Sequence, residues 1–269
     1  MGFWMFFGVM NSILNIIEEE NPATLALVWG SKYLDKRKIY PSYRTNNRTR
    51  IDFDQKQYNT LLNVFSALGV CQLKLEGLEA DQVLAAYVNS LDQVKIWSQD
   101  KDFFQLLSEK KVLQGPTRGL WDGAKVMQEY DLKSPELFAD WQALTGDTAD
   151  TIPRIVFTRD AVMLLKTKGF LKNWLLKAEP DMTGIPKRLE KKLLDNKHQI
   201  EINYMLTNLK DERLSENMLL PMKVDLDFAK DKLYKMQMNL FLKKFDRLAQ
   251  LQNMNLATRR EFWRLRHGA

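Results

Sequence analysis

Cysteine is almost missing from this chain: Cys71 stands alone among 269 residues. An internal disulfide is therefore excluded, and a reducing, cytoplasmic compartment is expected. Cys71 reads as a packed core residue. Histidine is nearly as scarce, at His198 and His267, and neither has a His or Cys companion at ligand spacing. Both read as surface residues, and a zinc centre is not indicated. Glycine and proline, at 12 and 8, do not give a collagen-like or low-complexity bias, and there is no Gly-Ser linker, internal repeat, P-loop or nucleophile elbow. Long apolar runs are lacking too. The best candidate, residues 3–17 (FWMFFGVMNSILNII), is interrupted by Asn11, Ser12 and Asn15, has no basic leader or small-residue cleavage site, and is too short to span a bilayer. No membrane partner is expected.

What is present suffices for a sizeable core, since 45% of the residues are hydrophobic. The net charge of +6 is unevenly placed. Residues 31–50 hold seven basic and one acidic residue, 154–200 hold eleven and five, and 257–269 hold four and one. Those segments carry +15 together and the remainder −9, so basic flanks surround an acidic centre. That distribution suits a polyanion laid across a cation site, and solvated helix faces are the plainer alternative.

Residues 3–17 read as a helix buried in an α/β core, closed by Glu18-Glu19-Glu20. Leu25–Trp29 reads as a buried parallel strand, Gln57–Leu68 as an amphipathic helix, 79–91 as a helix, Val94–Trp97 as a short buried strand and Val112–Gln114 as another. Residues 31–50 lack a helical stripe and read as a basic loop. From Ile152 onward only helical patterns appear, and the methionines of the last third read as packing. Alternating strand and helix followed by helix alone predicts a mostly parallel sheet covered on both faces, then an all-helical region. The expected division is 1–150 and 151–269.

Chemistry concentrates in carboxylates. Glu79 and Asp81 fall in the first turn of the 79–91 helix, Asp100 and Asp102 just past the end of the Val94–Trp97 strand, and Asp147 and Asp150 in a loop ending at Pro153. Ligands of open α/β sheets gather at that strand edge. Clustered carboxylates stay ionised at neutral pH when a cation lies between them, and an all-oxygen donor set favours Mg²⁺ or Mn²⁺.

The segments EGLEADQ, WSQDKDFFQL and LTGDTADTIP, in this order, resemble the G-x-E-A-D-D, S-x-D-x-D-x-x-Q-L and G-D-x-x-D-N-I-P motifs of the 5′-3′ exonuclease and flap endonuclease family. That family takes a bacteriophage form and also supplies the N-terminal domain of bacterial DNA polymerase I. The resemblance implies a PIN-like α/β 5′-nuclease core and a helix-turn-helix that grips duplex DNA. It also implies hydrolysis of phosphodiester bonds in replication, primer removal or repair. The expected substrates are DNA with a 5′ flap, gap or branch and RNA–DNA hybrids, with replication proteins as possible partners. Mg²⁺, with Mn²⁺ able to substitute, would be held by Glu79, Asp81, Asp100, Asp102, Asp147 and Asp150. The 31–50 stretch resembles the family's arch. There Arg44 and Arg48 would orient the scissile phosphate, Tyr43 could stack on a base, and Lys32 and Arg50 would add DNA contacts. Arg154, Arg159, Lys166, Lys168, Lys191 and Lys192 would contact the duplex, and a K⁺ ion in the helix-turn-helix is part of the family pattern.

The chain departs from the family in four places. The family's first strand, ending in a metal-binding Asp, precedes the helix matched by 3–17, so the natural reading frame or a partner segment is expected to supply it. Gly30 stands where the family has Asp, and so does Gln82. The turn at 153–159 has no glycine. These departures keep open an alternative, a catalytically impaired protein of the same fold that binds branched DNA.

Overall fold

The computed structural model describes residues 4–20, 22, 25–30, 34–45, 55–67, 70–73, 75, 77–210, 212, 231, 234–235 and 241. Lys32, Arg48, Arg50 and the basic segment 257–269 lie outside the described residues. The elements are α1 (Trp4–Glu20), β1 (Ala26–Val28), α2 (Leu34–Ile39), α3 (Gln55–Ala67), β2 (Cys71–Leu73), α4 (Ala80–Asn89), β3 (Val94–Trp97), β4 (Lys111–Gly115), β5 (Gly119–Trp121), α5 (Gly123–Tyr130), α6 (Phe138–Thr145), α7 (Thr158–Lys168), α8 (Leu171–Trp174), α9 (Lys187–Asp195) and α10 (Lys197–Thr207). Among the described residues there are also two 3₁₀ turns, Lys101–Leu106 and Pro135–Leu137. The chain packs as two compact units, one of Met1–Trp29, Arg50–Leu73 and Glu216–Ala269, the other of Gly30–Thr49 and Lys74–Ser215.

In the first unit α1 buries Met10, Ile13 and Leu14 against Leu61, Val64 and Phe65 of α3, and Phe241 joins the cluster. Those positions recur at helical spacing, which is why the apolar N-terminal run folds as a core helix. The helix runs on through Glu18–Glu20, whose last two side chains are exposed and leave nothing to bury. β1 pairs in parallel with β2, from Ala26 against Cys71 to Val28 against Leu73. Two expectations change here: β1 is half-buried, and Cys71 is half-buried in β2 instead of in the core. A two-stranded sheet this short leaves its strands partly exposed. Gln72 ties β2 to α3 by donating from Nε2 to Leu62 O and Ser66 Oγ, both at 2.8 Å, while its Oε1 accepts from Trp29 Nε1 at 3.0 Å.

In the second unit β3 and β4 are parallel, and β5 turns back antiparallel to β4. The core beneath them is aromatic. Phe104 stacks on Trp121 with ring centroids 4.5 Å apart and meets Phe138 edge-on at 5.4 Å. α10 locks α6 by hydrogen bonds: Asn203 Nδ2 donates to Ala143 O at 2.8 Å and Pro153 O at 2.9 Å, and Thr207 Oγ1 donates to Ala139 O at 3.2 Å. The helical expectation for the C-terminal region holds, since among the described residues no strand follows β5. The basic stretch corrects its loop expectation: α2 is a helix ending in Lys36, Arg37 and Lys38, followed by a turn at 41–44. Six residues are too few to show an apolar period in sequence. Arg37 binds that turn, donating from Nε to Tyr43 O and from Nη2 to Arg44 O, each at 3.2 Å. Among the described residues, no helix is long and apolar enough to cross a membrane.

Candidate active site

α4 begins in a reciprocal cap. The Glu79 side chain accepts from the Gln82 backbone, and Gln82 Oε1 accepts from the Glu79 N–H at 3.2 Å. Gln82 also donates from Nε2 to Glu212 Oε1 at 3.0 Å. Its amide is thus spent on capping and bridging. This arrangement holds Glu79 at the helix mouth, only 3% exposed, with Asp81 in the first turn. Gly30 lies beside the same mouth. A Cβ on it would sit 3.7 Å from Ala80 Cβ, which is ordinary contact, so no steric need for glycine exists there.

At the C-terminal end of β3, Asp100 caps the 3₁₀ turn by accepting from Asp102 N at 3.0 Å. Asp102 accepts at Oδ1 from Gln142 Nε2 of α6, at 2.6 Å. The third segment is a tight loop. Asp147 and Ile152 exchange backbone hydrogen bonds at 3.0 and 2.8 Å, and Gly146 enters at φ 72° with its absent Cβ only 2.6 Å from Ile152 O. Only glycine fits there. The loop thereby fixes Asp147 and Asp150 relative to α6.

The chain's own cations meet these carboxylates. Lys36 Nζ is 2.9 Å from Glu79 Oε2, and Lys101 Nζ is 2.8 Å from Asp147 Oδ2. Arg44 Nε and Nη2 donate to the two oxygens of Asp150 at 2.7 and 3.2 Å. Its Nη1 is 3.5 Å from Glu79 Oε1 and its Nη2 is 3.8 Å from Asp81 Oδ2. Arg44 itself sits at φ 51°, its N–H donating to Asp150 O at 3.1 Å and Thr151 Oγ1 at 3.0 Å. Tyr43 is 1% exposed, and its hydroxyl donates toward Glu79 and Asp150, 3.4 Å from each. Its ring is therefore not offered to a base, contrary to the expectation, because the site itself needs the hydroxyl.

The electrostatics betray a shortage of positive charge. Burial, then the charge of Asp100, pushes Asp81 up to about 6. Burial and Asp100 likewise push Asp102 up to about 7 against the Gln142 hydrogen bond, with Asp150 and Asp81 adding repulsion. Asp147 behaves oppositely: despite desolvation, the Lys101 hydrogen bond and charge hold it below the ordinary carboxylate range. Asp102 thus feels carboxylates of both other motifs, and Asp81 feels Asp100. As donors, six carboxylates fit a hard divalent cation. Yet among the described residues no group of three His, Cys, Asp or Glu side chains is arranged to hold a metal, and Arg44 lies across Asp150, Glu79 and Asp81.

Lys36, Lys101 and Gln142 were not singled out in the sequence. Lys101 lies inside the Asp-Lys-Asp motif and could have been noticed as a built-in counter-ion. Gln142 gives no signal, since its partner is 40 residues away.

The remaining predicted contacts lie elsewhere in the second unit. Arg154, Arg159, Lys191 and Lys192 are exposed around the start of α7 and on α9. Arg154 Nε reaches Thr145 O at 3.4 Å, and Lys192 Nζ stands 5.9 Å from the ring of Phe157, which is 65% exposed. Lys166 pairs with Asp131, and Lys168 with Asp181 at 2.7 Å.

Residues 2–131 match the family described as 5′-3′ exonuclease, N-terminal resolvase-like domain. A 5′-3′ exonuclease of Aquifex aeolicus is 29% identical over 253 residues, 90% of this chain and 85% of that one. The thermostable DNA polymerase I of Thermus aquaticus is 26% identical over 83% of this chain, which spans only 26% of that polymerase. The crystal structure of the bacteriophage T5 D15 protein, co-crystallized with metal ions, superposes with a TM-score of 0.63 at 17% identity, covering 91% of this chain and 92% of that one. The catalytic core of Rad2 in complex with DNA substrate gives 0.53 at 16% identity, over 90% and 81% of the two chains. The family match over residues 2–131, the relatives over most of the chain and the shared fold make this chain similar to the 5′-3′ exonucleases.

Proposed function

We propose that the 5′ nuclease activity of this family is carried here by Glu79, Asp81, Asp100, Asp102, Asp147 and Asp150 as holders of divalent metal. Mg²⁺ is the natural ion and Mn²⁺ a substitute. The observation that carries this reading is the convergence of the motifs: Arg44 spans Glu79, Asp81 and Asp150, and Asp81 and Asp102 are both raised by burial and by the charge of Asp100. A metal bound there supplies a more acidic water and Lewis-acid stabilisation of phosphoryl oxygens. The protein's own part is positioning: Gln142 orients Asp102, Gly146 and the Asp147–Ile152 bridge fix the loop, and Arg44 meets the phosphate. Arg48 is the second arch cation in this reading.

The substrate is DNA with a 5′ flap, gap or branch, and RNA–DNA hybrid is a further candidate, with action in the cytoplasm beside replication proteins. Support comes from structural neighbours crystallised with DNA, a T5 flap endonuclease variant with DNA and metal ions and Rad2 with DNA substrate. Residues 151–269 hold the duplex, through the side chains of Arg154, Arg159, Lys166, Lys168, Lys191 and Lys192 and not through a glycine turn. K⁺ at that turn has least support, because backbone approach to an ion is what glycine permits.

A second reading, DNA binding without cleavage, draws on Gln82, whose amide is committed to the α4 cap, and on Gly30. Incubating the full chain with a labelled 5′-flap duplex in Mg²⁺, Mn²⁺ or EDTA separates the two. Metal-dependent shortening of the flap strand is expected, and a retarded but intact duplex under every condition selects the binding protein.

A further inference from the structure

We propose that Arg44 is the resident counter-ion of the carboxylate site, which a divalent metal must displace, so that the metal and the substrate phosphate bind cooperatively by exchanging partners with one guanidinium.

Among the described residues, six carboxylates here face three protein cations, and the three differ in their freedom to leave. Lys36 is 9% exposed in its side chain and pairs with Glu79, itself 4% exposed, so it is built in. Lys101 serves Asp147 from within the 3₁₀ turn. Arg44 alone bridges several carboxylates, touching Asp150, Glu79 and Asp81, and its side chain keeps 26% exposure. A guanidinium cannot leave by losing its proton. It leaves only by finding another anion or water. The backbone of Arg44 is held by Asp150 O, Thr151 Oγ1 and, through its own carbonyl, Arg37 Nη2. The motion is therefore a side-chain swing about a fixed Cα, not a movement of the turn. Asp100 and Asp102 have no protein cation among their hydrogen-bond or ion-pair partners in the described residues. An incoming metal thus finds them first, while Arg44 keeps Asp150 from joining until it swings away. The released guanidinium then needs an anion, and on the nuclease reading above, on which this inference rests for its second half, that anion is the scissile phosphate. Linkage makes the coupling reciprocal: phosphate that holds Arg44 aside must tighten the metal.

The test is Mn²⁺ affinity of the full chain by calorimetry, with and without a 5′-flap duplex carrying a hydrolysis-resistant phosphorothioate at the junction. Arg44→Gln is expected to tighten Mn²⁺ about tenfold without DNA and to abolish the tightening that DNA causes in the unaltered chain. Arg44→Lys, which keeps the charge but not the forked contact, should fall between and serves if the glutamine variant does not fold. Unchanged or weaker Mn²⁺ binding in both variants overturns the proposal. Failure of the nuclease reading shows separately: Arg44→Gln would still tighten Mn²⁺, while the unaltered chain would cut no flap in any metal.

Discussion

Asp102 and Asp81 are held in the folded chain above their ordinary pKa, at about 7 and about 6, by burial and by neighbouring carboxylates. A carboxylate raised on folding supports the folded state fully only below its unfolded pKa and loses that contribution as pH rises through the folded value. In EDTA the melting temperature should therefore fall between about pH 4 and pH 8, and Asp102→Asn, which still accepts from Gln142, should flatten that fall and stabilise the chain at pH 8 by about 1–3 kcal/mol. A scan of melting temperature against pH checks it, and a variant less stable than the parent at pH 8 would refute the repulsion argument. Saturating Mn²⁺ should remove the same fall by mass action. Gly146 gives a second residue-scale expectation. Its φ of 72° and the 2.6 Å approach to Ile152 O leave no space for a methyl group, so Gly146→Ala should cost about 2–4 kcal/mol in denaturant unfolding. Gly30→Ala should leave the melting temperature nearly unchanged, since a Cβ there meets only ordinary contacts around Ala80.

Elements were legible in sequence where a period repeats often enough. α1 and α3 present apolar residues over more than three turns and α4 over nearly three, and each appears close to its expected span. β2 and β5 have three residues each, and α2 has six, too few for either period to declare itself. The carboxylates were legible as well, because each pair sits within one short motif. Their partners were not: Arg44 meets Asp150 across 106 residues and Gln142 meets Asp102 across 40, and no local pattern encodes such contacts. Tyr43 illustrates the cost, since a tyrosine among arginines reads as a stacking surface until its hydroxyl is seen between Glu79 and Asp150. The helix α9 carries the clearest element-scale expectation. Lys191 and Lys192 are exposed on it, and reversing both to Glu should weaken flap-duplex binding regardless of sequence and reduce the slope of affinity against salt. Titrations at several salt concentrations measure this directly, and an unchanged slope would remove α9 from the DNA-binding surface.

For the whole molecule, charge is divided by role: basic segments lie along the chain on either side of an acidic centre, and the acidic centre is where three distant motifs converge. Each motif stands at the end of an element, at the start of α4, in the 3₁₀ turn after β3 and in the bridged loop after α6. The central claim is that they form one cation site and not three separate acidic patches. Its most direct measurement is the Mn²⁺ binding isotherm of the full chain beside those of Asp102→Asn and of the Asp147→Asn/Asp150→Asn double variant. The account predicts that either change, made in motifs far apart in sequence, removes the same tightest Mn²⁺ binding event. Isotherms in which each variant loses a different event, or in which neither loses any, would contradict it.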